Sequence, residues 1–338
     1  MTDDQNKKRA NLRDVAKSAG VSVATVSRVL NAPDAVRPKT REKVESAIRT
    51  LRFVPSAAAR AINSGRTRFV GALVPTLDNA IFARFLAALE HKLLDHRLSL
   101  VVANTYNDPA IEVEKAKTLV DVGAEGLIVS GITHDPALDD LIERCQLPTI
   151  ATSYHDPSYH LPTVGYDNMA ATALALDYLA GQGHRDIAVV HGPLANNDRT
   201  RARMAGLDPV GHAAQLQFFE TEIAILGGCR AASAILAAPR RVSAILCFSD
   251  VLALGVLFEL QRNAVRVPDD LSLMGIDDLA ASAHSEPGLT TVHLPVSRMG
   301  ETSANAVAGW IETQERPAPV LLVPDRVIRG SPRAVEPG

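Results

Sequence analysis

Residues 12–31 read LRDVAKSAGVSVATVSRVLN. Apolar residues recur there at helical spacing twice: Leu12, Val15, Ala16 and Ala19 share one face, and Val26, Val29 and Leu30 share the next. Between the two lies AGVS, where Gly20 can take the positive φ of a tight turn and Ser22 can accept from the free N–H groups of the second helix. Ala16, four residues before Gly20, is small enough to let the helices cross closely. This spacing predicts a helix-turn-helix. Downstream, Val44, Ile48 and Leu51 stand at i, i+4 and i+7 and predict a third helix that closes a small core, with Pro55 ending it.

With Val26 and Val29 turned inward, the second helix offers Val23, Ala24, Thr25, Ser27 and Arg28 outward. A helix N-terminus in the major groove presents its early residues to base edges, and arginine is shaped for a bidentate bond to guanine O6 and N7. Arg28 is therefore the candidate base-reading residue. Val23 and Ala24 offer apolar contact suited to thymine methyls, while Ser22, Thr25, Ser27 and Asn31 are candidates for phosphate contacts and register.

Charge supports a polyanion partner for this region. Residues 1–66 hold 14 Lys+Arg against 6 Asp+Glu, a balance of +8, and the remaining chain holds 21 against 32, a balance of −11. The 338 residues, 46% of them hydrophobic, are enough for about two to three globular domains. Three widely spaced cysteines, Cys145, Cys229 and Cys247, form no CxxC pair and fit a reducing compartment. No apolar stretch follows the N-terminal basic residues and no run of about 18 apolar residues occurs, so neither export nor membrane insertion is expected.

Residues 11–66 resemble the DNA-binding head of the LacI/GalR family of bacterial transcriptional regulators. NLRDVAKSAGVSVATVSRVLN matches the family's signature, and KTREKVESAI with FVPSAAARAINSG matches its third helix and hinge. The resemblance implies a hinge helix over residues 56–66 that orders on operator DNA, with Ala59, Ile62 and Asn63 as DNA-facing candidates. Ile62 stands where the family usually wedges a leucine into the minor groove, and its stiff χ1 makes it a departure. By itself so short a helix is marginal, capped by Ser56 and ended by Gly65.

From Phe69 the texture changes. FVGALVP, LSLVVAN, GLIVSG, PTIAT, IAVVHG, SAILCF and LSLMGI are short continuous apolar runs, as buried parallel strands are. Helical patterns such as IFARFLAALEHKLLDHR and VLALGVLFELQRN alternate with them. The alternation predicts parallel α/β sheets, and its length predicts two lobes with a cleft at the carboxyl ends of the strands. GQGHRDIAVVHGP, RARMAG, CFSDVLALGV and VPDDLSLMGIDD resemble landmarks of the same family's periplasmic-binding-protein-like effector core. The expected organisation is a head over 1–55, the hinge over 56–66 and a core over 67–338. Within the core the near lobe takes about 67–167 and 296–323, and the far lobe about 168–295 and 324–338.

The resemblance also places a pocket. Arg203 aligns with a family arginine that reaches effector, Asp277 with an aspartate that accepts from ligand hydroxyls, and Asn79, Ile81 and Phe82 with the near-lobe lining. Ser249 stands where many relatives have asparagine, Ser153 where some have a ligand-binding aspartate, and Ile223 near where some sugar-binding relatives have tryptophan. An arginine and a carboxylate in one pocket suit a small polyol, sugar or sugar acid. Pro209 and Gly211 are expected to break the helix after RARMAG early.

The resemblance implies a homodimeric, cytoplasmic, nucleoid-associated repressor of bacterial operator DNA, with no cofactor and no enzymatic step. GSPRAVEPG, after Arg329, holds no leucine heptads, so no tetramerising coiled coil is expected there. His155, Asp156 and His160 in YHDPSYH could be drawn as a metal site, but Pro157 and the tyrosines read as a lobe-connecting loop. No GxSxG elbow, P-loop or post-strand GxGxxG is present. The alternative is a small-molecule-binding protein or α/β enzyme carrying a non-specific basic nucleic-acid-binding head.

Overall fold

A computed structural model of the chain describes residues 10–31, 33–54 and 66–335. The chain divides into two units, Met1–Thr67 and Arg68–Gly338. In the first, α1 (Leu12–Ala19) opens on a capping box: the Asn11 side chain accepts from the N–H groups of Arg13 and Asp14, and Asp14 accepts from Asn11 N at 2.9 Å. Gly20, at φ 64, closes α1 in the left-handed conformation that glycine adopts without strain. Ser22 starts α2 (Val23–Asn31) by accepting from Thr25 N at 3.1 Å. Val15, Ala16, Val26 and Val29 are buried together with Val44 and Ala47 of α3 (Pro38–Thr50).

The third helix does not run to Pro55. Arg52 turns left-handed at φ 46 and Phe53 N donates to Ile48 O at 3.0 Å, which folds the Phe53 ring into the head core at 8% exposure. The candidate hinge residues Ala59, Ile62 and Asn63 lie outside the described residues.

The second unit holds two six-stranded sheets. The first is built from β1 (Phe69–Val74), β2 (Ser99–Asn104), β3 (Ala124–Ser130), β4 (Thr149–Thr152), β5 (Thr163–Tyr166) and β11 (Val320–Leu322), in the order β11-β5-β4-β3-β1-β2. The second is built from β6 (Asp186–His191), β7 (Gln215–Glu220), β8 (Ala244–Cys247), β9 (Ser272–Asp277), β10 (Thr290–His293) and β12 (Asp325–Val327), in the order β12-β10-β9-β8-β6-β7. All pairings are parallel except β10 with β12, an edge strand that enters after a two-residue turn from β11. The chain crosses between sheets after β5, after β10 and after β11.

Helices cover the sheets: α4 (Ala80–Asp95), α5 (Pro109–Asp121) and α6 (Pro136–Cys145), then α7 (Asn168–Gly181), α8 (Asp198–Ala205), α9 (Ile225–Ala237), α10 (Asp250–Arg262), the short α11 (Ala280–Ala283) and α12 (Val296–Thr313). From α4 to α8, and again at α10, each begins on an Asn, Asp or Ser whose side chain accepts from the first turn. Close approach dictates glycine at the α9–α10 crossing: a Cβ on Gly228 would lie 2.2 Å from Leu252 O, and one on Gly255 2.1 Å from Ile225 O. A similar approach fixes glycine at the end of α8. The helix ends at Gly206, before Pro209, where a Cβ would lie 2.3 Å from Met169 O.

Candidate functional site

In the head, Val23, Ala24 and Arg28 are exposed on α2, Thr25 and Ser27 are half-buried, and Asn31 ends the helix. Ser22 satisfies Thr25 N; the N–H groups of Val23 and Ala24 lie in the first turn, ahead of any carbonyl partner within the helix, where a helix N-terminus favours an anion. Arg13, Lys17, Arg37, Lys39 and Lys43 are exposed on the same small unit.

In the core, a cavity of about 300 Å³ opens between the two sheets at the carboxyl ends of their strands. Its lining includes all eight residues singled out from the sequence: Asn79, Ile81, Phe82, Ser153, Arg203, Ile223, Ser249 and Asp277. The helices of the near side present apolar residues. Ile81, Phe82 and Phe85 come from the first turns of α4, Val296 and Met299 from the start of α12. Asn79 caps α4 by accepting from Ile81 N at 3.2 Å, and that bond occupies its side-chain oxygen.

The far side is polar and tightly tied. Arg203, on α8, is 9% exposed; its Nε donates to Asn168 Oδ1 at 3.1 Å and its Nη1 to the Phe248 carbonyl. Its Nη2 stands 3.9 Å from Asp277 Oδ1, an ion pair that is too long for a direct hydrogen bond. Asp277 ends β9 at φ 135 and, across the cleft on the near side, Ser153 follows β4 at φ 66, backbone conformations that a side chain bears only under restraint. Ser249 explains how Asp277 is held. It caps α10 by accepting from Val251 N and donates its Oγ to Asp277 Oδ2 at 2.8 Å. Burial pushes the Asp277 carboxyl up to about 7, against the opposing pull of Arg203, with Asp250 adding to the rise.

Asp250 lies beneath. It is fully buried and accepts from Ser282 Oγ and Thr291 Oγ1, each at 2.6 Å, and from Leu279 N at 2.9 Å. Burial raises this carboxyl too, partly offset by those three bonds. Two sets of contacts tie the sides of the cleft together. Asp198 of α8 accepts from Ile132 N at 2.5 Å and Thr133 N at 3.0 Å, just after β3, and Arg201 donates to Thr133 Oγ1 at 2.9 Å. Arg84 of α4 donates to Asp278 O at 2.7 Å, and Asp278 in turn pairs with Arg329 and His293.

Sequence reasoning missed Asn107, Tyr166, Arg199, Thr200 and Phe248, which also line the cavity. Arg199 carried a usable signal, since it precedes Arg203 by one helical turn and so shares its face. The loop YHDPSYH is engaged otherwise than as a metal cage: Asp156 Oδ1 accepts from Ser158 N and Oγ, and His160 pairs with Asp139 at 2.9 Å. Among the described residues, no group of three or more His, Cys, Asp or Glu converges as metal ligands would, and no helix is long and apolar enough to cross a membrane.

Comparison with known proteins agrees with both units. Residues 11–56 match the family described as bacterial regulatory proteins, lacI family, and residues 176–331 match the periplasmic binding protein-like domain. The HTH-type transcriptional repressor PurR of Escherichia coli is 31% identical over 331 residues, covering 95% of this chain and 96% of its own. A lac repressor dimer solved with operator and the anti-inducer ONPF matches with a TM-score of 0.85 at 25% identity, over 97% of this chain and 100% of that one. A CelR–cellobiose complex matches at 0.69 and 26% identity, over 96% and 100%. The chain therefore belongs to the lacI family of bacterial regulatory proteins, as a DNA-binding transcriptional repressor with an effector-binding core.

Proposed function

We propose that the protein binds a pseudo-palindromic operator as a homodimer, and that a small polyhydroxylated metabolite in the cleft sets how tightly it binds. Arg28 specifies a base pair, Val23 and Ala24 contact thymine methyls, and Ser22, Thr25, Ser27 and Asn31 fix the register through phosphates. The stretch with Ala59, Ile62 and Asn63 orders in the minor groove when the cleft state permits. Asn79, Ile81, Phe82, Ser153, Arg203, Ile223, Ser249 and Asp277 form the effector site. No catalytic step is assigned to the chain, and its place of action is the DNA of the bacterial cytoplasm.

The observation that carries the cleft reading is the 3.9 Å between Arg203 Nη2 and Asp277 Oδ1, both on side chains no more than 11% exposed. A buried donor and a buried acceptor held apart by that distance are both satisfied by one hydroxyl group, which accepts from the first and donates to the second. The lac repressor and CelR structures, solved with ONPF and cellobiose, are compatible with such a ligand.

The test is a titration of the purified protein against its own upstream DNA at fixed salt, with and without a panel of sugars, sugar acids and nucleobases. Tight, site-specific binding changed by one compound is expected. For Arg28→Ala, discrimination against an operator altered at one base pair should fall by about 1–3 kcal/mol. Weak, sequence-blind binding on every fragment would refute the regulator reading, and unchanged discrimination by Arg28→Ala would refute direct readout by that residue.

A further inference from the structure

Donors and positive helix ends gather on the cleft. Three helix N-termini converge on it, through their caps Asn79 of α4, Asn197 of α8 and Ser249 of α10, all of which line the cavity. Two guanidinium groups, Arg199 and Arg203, line it from one face of α8. Against them stand the carboxylates of Asp277 and Glu222 in the lining and of Asp198 beside Arg199. Asp277 is half-protonated near neutral pH, since burial pushes it up to about 7. Glu222, at the rim, is turned to Arg230 at 2.5 Å, and both of those side chains are more than half exposed.

Arg199 is the less committed of the two arginines. Its Nη1 lies 3.2 Å from Asp198 Oδ1, but Asp198 also accepts from three backbone N–H groups: Ile132 and Thr133 across the cleft, and Arg199 itself. That carboxylate is thus largely neutralised by donors other than the guanidinium. The Nη2 of Arg199 reaches Asn107 Oδ1 only at 3.5 Å, the outer limit of a hydrogen bond. A planar fork with donors to spare, 12% exposed in a cleft onto which three helix N-termini open, is built to take a bidentate oxyanion. One helical turn, about 5.4 Å, separates it along α8 from Arg203, the span of a short carbon chain.

We propose that the effector is an anion: a small polyol whose hydroxyl groups meet Arg203, Asp277 and Ser249 and whose carboxylate or phosphate sits on Arg199. Arg199 is then the residue that separates an acid from its neutral parent. The inference rests on the cleft being the effector site.

Isothermal titration of the full-length protein tests it, using aldonic acids, uronic acids and hexose monophosphates, each beside the neutral sugar or alditol of the same carbon skeleton. At least one acid should bind, its neutral parent about tenfold or more weakly. Arg199→Gln should remove most of that gap while moving the affinity for the neutral parent by less than roughly threefold. Arg199→Lys, which keeps the charge and loses the fork, should retain part of the gap. The carboxylate and phosphate arms identify the head group. A neutral sugar that binds as tightly as its acid, or a gap that survives Arg199→Gln, overturns the proposal and leaves the cleft reading standing. Absence of binding by every compound, acid and neutral, overturns both.

Discussion

The two walls of the cleft are made of different material. The near wall presents Ile81, Phe82 and Phe85 of α4 and Val296 and Met299 of α12, with Asn79 spent on capping its own helix and Ser153 and Tyr166 as its other buried polar residues. The far wall, from α8 and the ends of β8 and β9, carries Arg203, Arg199, Ser249 and Asp277, most of them tied to further far-lobe groups, with Phe248, Leu252 and Ile223 between and beside them. Apolar contact is non-directional and grows with area, while a buried donor or acceptor left unmatched costs about 1–3 kcal/mol. The far wall therefore decides which molecule binds, and the near wall supplies the closing surface that removes water from it.

The sharpest way to break this division is Arg203→Ala. The substitution strips Asn168 Oδ1 and the Phe248 carbonyl of a donor and leaves Asp277 without its buried counter-charge. Effector affinity should fall by about 100-fold or more, and stability by roughly 3 kcal/mol, because removing one partner of a buried pair costs more than the pair contributes. Calorimetric titration and urea unfolding measure the two. A loss of affinity under about tenfold would put the polar recognition elsewhere.

Next in size is a pH effect that belongs to the far wall alone. Asp277 is raised to about 7 in the folded protein and returns to the ordinary carboxylate range on unfolding. The folded state thus binds this proton more tightly than the unfolded state. Its contribution to stability is fully present below about pH 4 and is lost as pH rises through about 7. Asp277→Asn has no such titration, so it should gain on the wild type progressively between about pH 4 and pH 7, by an amount on the order of a few kcal/mol, with a constant difference above. Parallel stability profiles for the two proteins across that window would show that the carboxyl does not hold its proton in the fold.

The same division explains what could be read in the chain itself. The head was legible because its determinants are local: Asn11, Gly20 and Ser22 act within three or four residues of themselves, and Val15, Val26 and Val44 announce themselves by period. Most strands are legible as continuous apolar runs, whereas β7, interrupted by Gln215 and Gln217, and the Thr-containing, four-residue β5 and β10 carry no such signal. Phe53 is a smaller case, since the left-handed Arg52 that folds it back has no mark in composition. In the cleft, the family landmarks located Arg203 and Asp277, but the Ser249 bond that orients Asp277 joins residues 28 apart. Asp198 meets Ile132 across 66 positions and two sheets. Such contacts are set by topology, and no periodicity within a window can display them.

The smallest effects test whether apolar contact is confined to the near wall. Phe82 is half-buried in the first turn of α4 and faces the cavity; Phe82→Ala should weaken the effector by about tenfold, the value of roughly 1–2 kcal/mol of apolar surface removed from water. Ile223 is the most exposed large apolar residue of the far lining, at 38%. It rests on Gly192, where an added Cβ would come within 2.5 Å of Ile223 Cγ1, so much of its surface is already spent on backbone. An isoleucine so placed cannot present the flat face that an aromatic ring offers a sugar. Ile223→Ala should therefore change effector affinity by no more than roughly threefold. Measured in one titration series, a loss at Ile223 equal to that at Phe82 would mean that the far wall also contributes apolar area, and that the cleft closes on its ligand from both sides alike.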